Sequence, residues 1–534
     1  MGLKQKIKKR LGEQTANLTR GLKLADLPNP NTLLNNVAGA EMLANHLKNG
    51  DRVLIVGDYD ADGILATSVL YGFLTDIGFT KDIVDYIIPS RLKDGYGLSP
   101  NIINYAKDNM FDVIVTVDNG IAAIDAIKLA KSYGIKVIVT DHHTAPAVLP
   151  DADIIINPKQ PGETFKYIDI SGATVAWYFA CALKDTLKVK VDMRKYLDLA
   201  GLTVISDVMP LNHINLAILN FTIPKLKSRE RFIYSLIWDD WSAPVINEVS
   251  IGFSFVPMIN AIGRIDDANI GVRLFLSRDK NEITNLVEYI KEVNAERKAL
   301  TQEFKAIALD IVQDNSDSAI VVRCKDYHEG IVGIIAGKLA EIYRVPAYVF
   351  AWSEEKQIWK GSGRSVGNVH LYELTNKAAE HILGFGGHKG AVGLGISPDQ
   401  FEDFEKAIKE AARKIPKKEF LDKSLKPITC TLDEISLDML DLIESYGPFG
   451  EGNRLPPLTT KAKIKVEKEL SNGLHFKCTA TQNETVLPAM FFHVKNKEEF
   501  LSKIDQEELD ITFYINRRYN PRTEKFDFDL FCTI

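Results

Sequence analysis

Cysteine is scarce in this chain and never paired. Cys181, Cys324, Cys430, Cys478 and Cys532 stand far apart in 534 residues, a spacing that excludes a thiolate zinc site and a disulfide framework and leaves core thiols in a reducing compartment. Apolar runs of membrane length are missing too. Met1–Arg10 carries four lysines and one arginine with no apolar segment behind them, so neither a secretory leader nor a spanning helix is expected and the protein reads as cytoplasmic. Basic charge is not in excess: 65 Lys and Arg against 71 Asp and Glu give a net charge of −6. A polyanion would have to be held by local patches or bound cations rather than by a global field. A chain of 534 residues exceeds what one core organises, so three or four domains are expected.

What the chain does have is aspartate at the ends of apolar runs. Val53–Val56 lead through Gly57 to Asp58, Asp60 and Asp62; Val113–Val117 end on Asp118; Lys136–Thr140 end on Asp141-His142-His143; Leu202–Ser206 end on Asp207. Short runs rich in Val and Ile, separated by helical periodicity, predict parallel strands buried on both faces of an open sheet. Ligands of such sheets lie outside the carboxyl ends of the strands, so the acids would converge on one edge. Extended backbone through Asp58, Asp60 and Asp62 would put their side chains on one face. Carboxylates so dense repel one another unless cations neutralise them. With Asp118, His142 and Asp207 they make an oxygen and imidazole set sufficient for two divalent ions about 3.5–4 Å apart. That chemistry suits Mn²⁺ or Mg²⁺, the nitrogen favouring Mn²⁺. The plain alternative for each strand-end aspartate is a helix N-cap.

Residues 1–45 read as a helical lead-in broken at Pro28-Asn29-Pro30, and from about 50 to 275 strands and helices alternate at βαβ spacing. Helices are expected from Asp62-Gly63 through Phe73 and over Ala122–Tyr133. Asp279–Val312 contains neither Gly nor Pro, and its apolar residues recur at three- and four-residue spacing, predicting a helix on the order of 50 Å long between two lobes. The second α/β lobe opens with the strand Ala319–Arg323 and closes near Lys414. Its segments Gly361-Ser362-Gly363-Arg364-Ser365 and Gly384–Gly393 read as glycine-rich loops bringing backbone N–H groups, the Arg364 fork and the His388 imidazole to a phosphate; plain turns are the alternative. In the tail, alternation in Leu474–Ala480, Ile511–Ile515 and Phe526–Leu530, with Ala462–Val466 and Val486–Phe491, predicts five short strands and a small barrel of the OB type, a frequent reader of single strands. Arg517, Arg518, Tyr519 and Arg522 mix cations with an aromatic as strand binders do, or mark a solvated hairpin end.

Seven motifs occur in an order that resembles the DHH phosphoesterase superfamily and, within it, the RecJ-like single-strand-specific exonucleases. They are Asp58-Tyr59-Asp60-Ala61-Asp62-Gly63, Val117-Asp118-Asn119-Gly120, Asp141-His142-His143, Asn260 through Arg264 to Asp267, His328-Glu329-Gly330 through Gly337, Gly361–Ser365 and Gly386-Gly387-His388. The resemblance implies an α/β fold with a parallel-sheet DHH domain (46–276), a long connecting helix (277–315), a second α/β (DHHA1) domain (316–415) and a C-terminal OB-type β-barrel (424–534). It implies that Asp58, Asp60, Asp62, Asp118, His142 and Asp207 bind two divalent cations, Mn²⁺ or Mg²⁺, with Asp118 bridging them. His143 would contact the scissile phosphate. Arg264, Ser362, Arg364 and His388 would hold substrate phosphates, and Arg91 and Tyr96 would guard the nucleotide end; for Arg264 an ion pair with Asp266 or Asp267 is the alternative. Two departures from the family pattern, Val204-Ile205-Ser206 before Asp207 and Lys389-Gly390-Ala391 after His388, remove no expected ligand. The implied activity is degradation of single-stranded DNA, 5′ to 3′, to 5′-mononucleotides in repair and recombination, by a monomer to which a single-strand-binding protein or a helicase delivers the strand. Two rivals share the motifs: a DHH phosphodiesterase of oligoribonucleotides or cyclic dinucleotides, and a silent DHH scaffold in a replication complex.

Overall fold

β-branched runs make the first sheet. Val53–Val56 (β1), Val84–Ile87 (β2), Val113–Val117 (β3), Lys136–Thr140 (β4) and Ile154–Ile156 (β5) lie in the order β2-β1-β3-β4-β5, every pair parallel. All residues of β1 and β3 are buried, as a sheet covered on both faces requires. One core cluster joins Leu54, Val56, Ile103, Ile114, Ile127 and Val137, and the helices Ala61–Asp76 and Gly172–Leu187, apolar nearly all round, pack against β1, β3 and β4. The structure is a computed structural model and describes residues 2–15, 23–91, 94, 97–238, 245–313, 317–421, 425–470, 473–492, 494, 497–504 and 508–533.

Two details of this sheet differ from expectation. Leu202–Ser206 is not a strand but the last turns of the helix Arg194–Ser206, with Asp207 as its C-cap. That helix is buried from Tyr196 to Val204, so its apolar residues run together, and periodicity cannot separate a buried helix from a buried strand. Nor do Asp58, Asp60 and Asp62 share an extended strand. β1 stops at Val56, and Asp60 is the N-cap of Ala61–Asp76, accepting from the N–H groups of Asp62 (2.9 Å) and Gly63 (3.1 Å).

The chain forms two compact units, residues 1–260 with 267–289 and 425–534, and residues 261–266 with 290–424. The helix Lys280–Val312 begins in the first and ends in the second. The second unit holds a mixed sheet of Ile320–Cys324 (β6), Ala347–Ser353 (β7), Ile358–Arg364 (β8), Gly384–Gly387 (β9) and Ala391–Ile396 (β10) in the order β6-β7-β8-β10-β9. Of the two glycine segments expected as loops, Gly361–Arg364 lies in β8, and Gly384–Gly393 forms β9 and the start of β10 with a turn at His388–Gly390 between them. Ring packing explains the choice at Gly361, where a Cβ would lie 2.3 Å from Phe350 of β7.

In the first unit the tail closes a barrel from Ile428–Thr429 (β11), Leu458–Leu470 (β12), His475–Gln482 (β13), Thr485–Phe491 (β14), Leu509–Asn520 (β15) and Lys525–Thr533 (β16). The order is β11-β12-β13-β14-β16-β15, and pairing of β12 with β15 closes β12 to β16 into a ring with β11 appended to β12. Residues 1–45 do not act as one lead-in. The helix Leu3–Thr15 places Leu3, Ile7 and Leu11, one helical face, in the barrel core, whereas the helix Asn36–Asn49 packs on Gly172–Leu187. Among the described residues no helix is long and apolar enough to cross a membrane.

Candidate metal centre and phosphate-binding groups

Asp58 follows β1 across Gly57, Asp118 follows β3 directly, and His142 lies just beyond β4. Asp62 enters from the first turn of Ala61–Asp76, and Asp207 from the end of Arg194–Ser206. Three sets of donor atoms, from Asp58-Asp60-Asp118, Asp62-His142-Asp207 and Asp118-His142-His143, each lie within 4.8 Å of one another. All six expected ligands thus converge, and Asp118 and His142 belong to two sets each. The helix Gly172–Leu187 points its N-terminus at them: Asp62 accepts from the N–H groups of Gly172 (2.7 Å) and Ala173 (2.8 Å), where the helix dipole favours an anion. A Cβ on Gly172 would lie 2.3 Å from Asp118 Oδ1, so the helix can approach only as glycine. Asp118 has φ 62°, a left-handed conformation that Asp and Asn enter more readily than other side chains.

Charge is not balanced by the protein alone. Burial first, and neighbouring carboxylates second, push Asp58, Asp62 and Asp118 well above the usual carboxylate range. Burial and the charge of Asp60 push Asp207 up to about 7. Burial and the charge of His143 push His142 down to about 3, which leaves a neutral imidazole. Its Nε2 lies 3.1 Å from Asp118 Oδ1 but without hydrogen-bond alignment, and Asp58 Oδ1 and Asp118 Oδ1 are likewise buried with no hydrogen-bond partner. Buried polar atoms are seldom left so. A set of oxygens and one neutral nitrogen, with no thiolate, fits hard divalent cations such as Mn²⁺ or Mg²⁺.

His143 differs from its neighbour. Burial opposes its charge, but a 2.8 Å hydrogen bond from Nδ1 to Asp141 and the charge of that carboxylate raise it to about 9. Burial pushes Asp141 up in turn, and the His143 hydrogen bond and charge bring it down to about 2. Asp141 also accepts from the backbone N–H groups of His142 (2.7 Å), His143 (3.1 Å) and Ile121 (2.9 Å). It is the fixed anion that orients an exposed imidazolium.

Sequence reasoning passed over Asp141 as a site residue, together with Asn119, Gly172 and Lys159. The Asn119 amide donates to Val56 O (3.0 Å) and Val117 O (2.9 Å), tying the ends of β1 and β3. Lys159 lies 3.7 Å from Asp169, and its charge reaches both Asp207 and His142. Asp141 and Asn119 stand inside the aspartate motifs, where any polar residue is a candidate. Gly172 and Lys159 sit in Ser171-Gly172-Ala173 and Asn157-Pro158-Lys159, which read as an ordinary cap and an ordinary turn.

The second unit gathers a separate group. Arg264 donates to Gly330 O (3.3 Å), and Arg364 donates to Ser362 Oγ (2.7 Å) and Gly363 O (2.8 Å). The other Arg364 terminal nitrogen, Nη2, stands 2.8 Å from the Cβ position of Gly333, so both guanidinium groups flank the first turn of the helix Val332–Tyr343. A helix turn flanked by two guanidinium groups has the charge and the N–H donors to accept an anion. His328, also passed over, accepts from Gly330 N at 3.1 Å. His388 is exposed at the β9–β10 turn, just before Ala391, which pairs with Arg364. In the first unit Arg91 lies 5.1 Å over the Tyr59 ring, and its charge reaches Asp58. Tyr96 lies outside the described residues.

Family models match in the same order: the DHH family N-terminal domain over residues 52–204, the DHHA1 domain over 316–414 and the RecJ OB domain over 428–527. The single-stranded-DNA-specific exonuclease RecJ of Salmonella typhimurium is 32% identical over 440 residues, 77% of this chain and 75% of that protein. The chain belongs to the RecJ family. Its sheet, second unit and barrel are thus the family's parallel-sheet DHH domain, DHHA1 domain and OB domain. RecJ of Bacillus subtilis is 31% identical over 495 residues, and this chain covers 62% of its length, just under two thirds. Among solved structures, RecJ from Thermus thermophilus in complex with Mn²⁺ superposes with a TM-score of 0.80 at 24% identity over 100% of this chain and 76% of that one. An exonuclease RecJ bound to manganese gives 0.62 at 29% identity over 73% and 97%.

Proposed function

We propose that this RecJ-family chain is a two-metal exonuclease that degrades single-stranded DNA from the 5′ end to 5′-mononucleotides, in cytoplasmic repair and recombination. The observation that carries the reading is the convergence of Asp58, Asp60, Asp62, Asp118, His142 and Asp207 within 4.8 Å sets in a chain that also carries the family's barrel. Manganese in a relative 29% identical supports the choice of cation. Bound divalent cations supply Lewis acidity and charge neutralisation at the scissile phosphate. Asp118, shared by two donor sets, would be the carboxylate held in common by the two cations. His143, protonated and aimed by Asp141, donates to a non-bridging phosphate oxygen. Arg264, Ser362, Arg364 and His388 hold further phosphates, Arg91 and Tyr96 receive the terminal nucleotide, and the barrel holds the trailing strand. The chain works as a monomer on strands delivered by a single-strand-binding protein or a helicase. A small-substrate phosphodiesterase has no use for the barrel, and a silent scaffold has no reason to keep every ligand.

The test uses end-labelled single strands, duplexes and dinucleotides with Mn²⁺, Mg²⁺ or EDTA. Mononucleotides should leave the 5′ ends of single strands only with a cation present. Turnover of dinucleotides alone, or of nothing with either cation, would sink the reading. Deleting the barrel is a poorer test, because it would strip Leu3, Ile7 and Leu11 of their packing.

Arg364→Ala should weaken apparent strand affinity by about 10- to 150-fold, the equivalent of ~1.5–3 kcal/mol for a charge-assisted contact, with Mn²⁺ binding by calorimetry unchanged. Loss of Mn²⁺ binding instead would mark Arg364 as a structural residue.

A further inference from the structure

Val208, directly after the candidate ligand Asp207, is held at φ 51°, where a β-branched side chain is strained. It is 65% exposed, so packing does not hold it there, and such strain persists only where the surroundings impose it. Hydrogen bonds impose it from both sides. Upstream, the N–H groups of Val208 and Met209 donate to Ile205 O (3.3 Å) and Val204 O (2.9 Å). Downstream, Leu211 N donates to Glu451 O (2.8 Å), a carbonyl of the loop that joins the helix Leu437–Glu444 to β12 of the barrel domain. The same loop grips a second element of the metal centre. Phe449 N donates to Glu248 Oε1 (2.9 Å), and Glu248 opens an unbroken helical run through the π-helical Ile251–Phe255 into Val256–Ile265. That run packs on the helix Arg194–Ser206, and its Asn260 side chain accepts from Ala61 N (2.7 Å), between Asp60 and Asp62. The loop is closed on itself. Asn453, buried, donates to Tyr446 O (3.0 Å) and Pro448 O (2.8 Å), and Gly450 and Asn453 exchange two backbone hydrogen bonds of 3.1 Å.

We infer that the barrel loop Tyr446–Asn453 is a clamp that positions the metal ligands, with Glu248 as the positioning residue on the catalytic side. Its two grips, Glu451 O on Leu211 and Phe449 N on Glu248, fix the segment after Asp207 against the helical run that reaches Asp60 and Asp62. Groups at a catalytic centre need placement to about 0.5 Å, which their supporting partners enforce. Asp207 ends a helix and is followed by a strained, exposed residue, so its placement depends on such support. The inference rests on the two-metal exonuclease reading and gives the barrel a task beyond holding the strand: it completes the geometry of the catalytic domain.

The experiment compares the full chain with Glu248→Ala, Glu248→Gln, Asn453→Ala and the double alanine variant, well below their melting temperatures, by calorimetric Mn²⁺ titration and by kcat and KM on short and long single strands. Glu248→Ala should weaken Mn²⁺ binding about 10-fold, the lower end of what outer partners of a metal site contribute. Its kcat should fall by a similar factor on short and long strands alike, with KM unchanged. Glu248→Gln keeps an oxygen for Phe449 N and should restore both values. Asn453→Ala opens the loop without touching the catalytic domain and should match Glu248→Ala, and the double variant should be no worse than either, since one clamp is lost once. If Glu248→Ala does not fold, Asn453→Ala carries the same test. Wild-type Mn²⁺ affinity and kcat with only a lowered melting temperature would overturn the clamp and leave the loop a packing contact. A raised KM confined to long strands, with Mn²⁺ affinity unchanged, would also overturn it, assigning the loop to strand binding. A wild type that binds Mn²⁺ but degrades no strand removes the exonuclease reading, while the Mn²⁺ titrations still decide the clamp.

Discussion

Replacing Asp118 by asparagine is expected to cut strand degradation by at least about 100-fold, since groups outside the ligand set already cost 10- to 100-fold when lost from metal sites, and to raise the melting temperature of the metal-free protein. Asparagine is chosen because it tolerates the φ of 62° at this position, so charge is removed without disturbing the backbone. Asp118 shares donor sets with Asp58 and Asp60 and with His142 and His143, and losing it loosens both. The gain in stability follows from burial: its carboxylate is desolvated and faces Asp62, Asp60, Asp58 and Asp207. The same charges set a pH dependence. Folded pKa values raised above 3.8 for four carboxyls, to about 7 for Asp207, outweigh the one proton that His142 gives up on folding, so the folded state holds more protons than the unfolded chain between those limits. Stability without metal therefore falls as pH rises from about 4 to about 7, and Mn²⁺ should restore it by competing with protons. Melting curves in EDTA and in Mn²⁺ across that range check both statements. A metal-free wild type that grows more stable with rising pH, or an Asp118→Asn enzyme with more than a few per cent of wild-type turnover, would contradict them.

Gly172→Ala should be nearly as damaging, although the residue carries no functional group. The added methyl would lie 2.3 Å from Asp118 Oδ1 and 2.5 Å from its Cβ. Either the helix Gly172–Leu187 retreats, breaking the 2.7 Å and 2.8 Å hydrogen bonds to Asp62, or Asp118 turns away from His142. A displacement near 1 Å at a reacting centre can cost about 100-fold, so turnover should fall on that order, with Mn²⁺ affinity falling in parallel and strand binding through the second unit retained. The measurements are calorimetric Mn²⁺ titration and single-turnover cleavage at saturating strand. Wild-type values for both would show that the helix end has room the distances deny.

Much of this is legible in the sequence. The strands β1, β3 and β4, the helix Lys280–Val312 and the barrel strands announce themselves because burial on both faces, on one stripe or on alternate residues leaves a period in the sequence. The candidate ligands stand out because buried acids at strand ends have few uses. Leu202–Ser206 failed for the complementary reason: a helix buried on most sides loses its period. Asp60 shows that the alternatives weighed for strand-end acids were not exclusive, since it caps a helix and belongs to a donor set at once.

By itself the sequence determined which groups were available and how each segment could bury its apolar side, because both follow from side-chain chemistry and spacing along the chain. Tertiary structure alone decided what stands beside what. Asp207 reaches His142, at 3.5 Å, from the end of a helix rather than a strand, and Gly172 brings a helix dipole to Asp62 from more than a hundred residues away. Adjacent histidines take opposite protonation states because one is desolvated by burial beside a charged neighbour and the other is hydrogen-bonded to the fixed Asp141. Those outcomes depend on dielectric and distance, which fall off over a few ångströms and leave no mark on the order of residues.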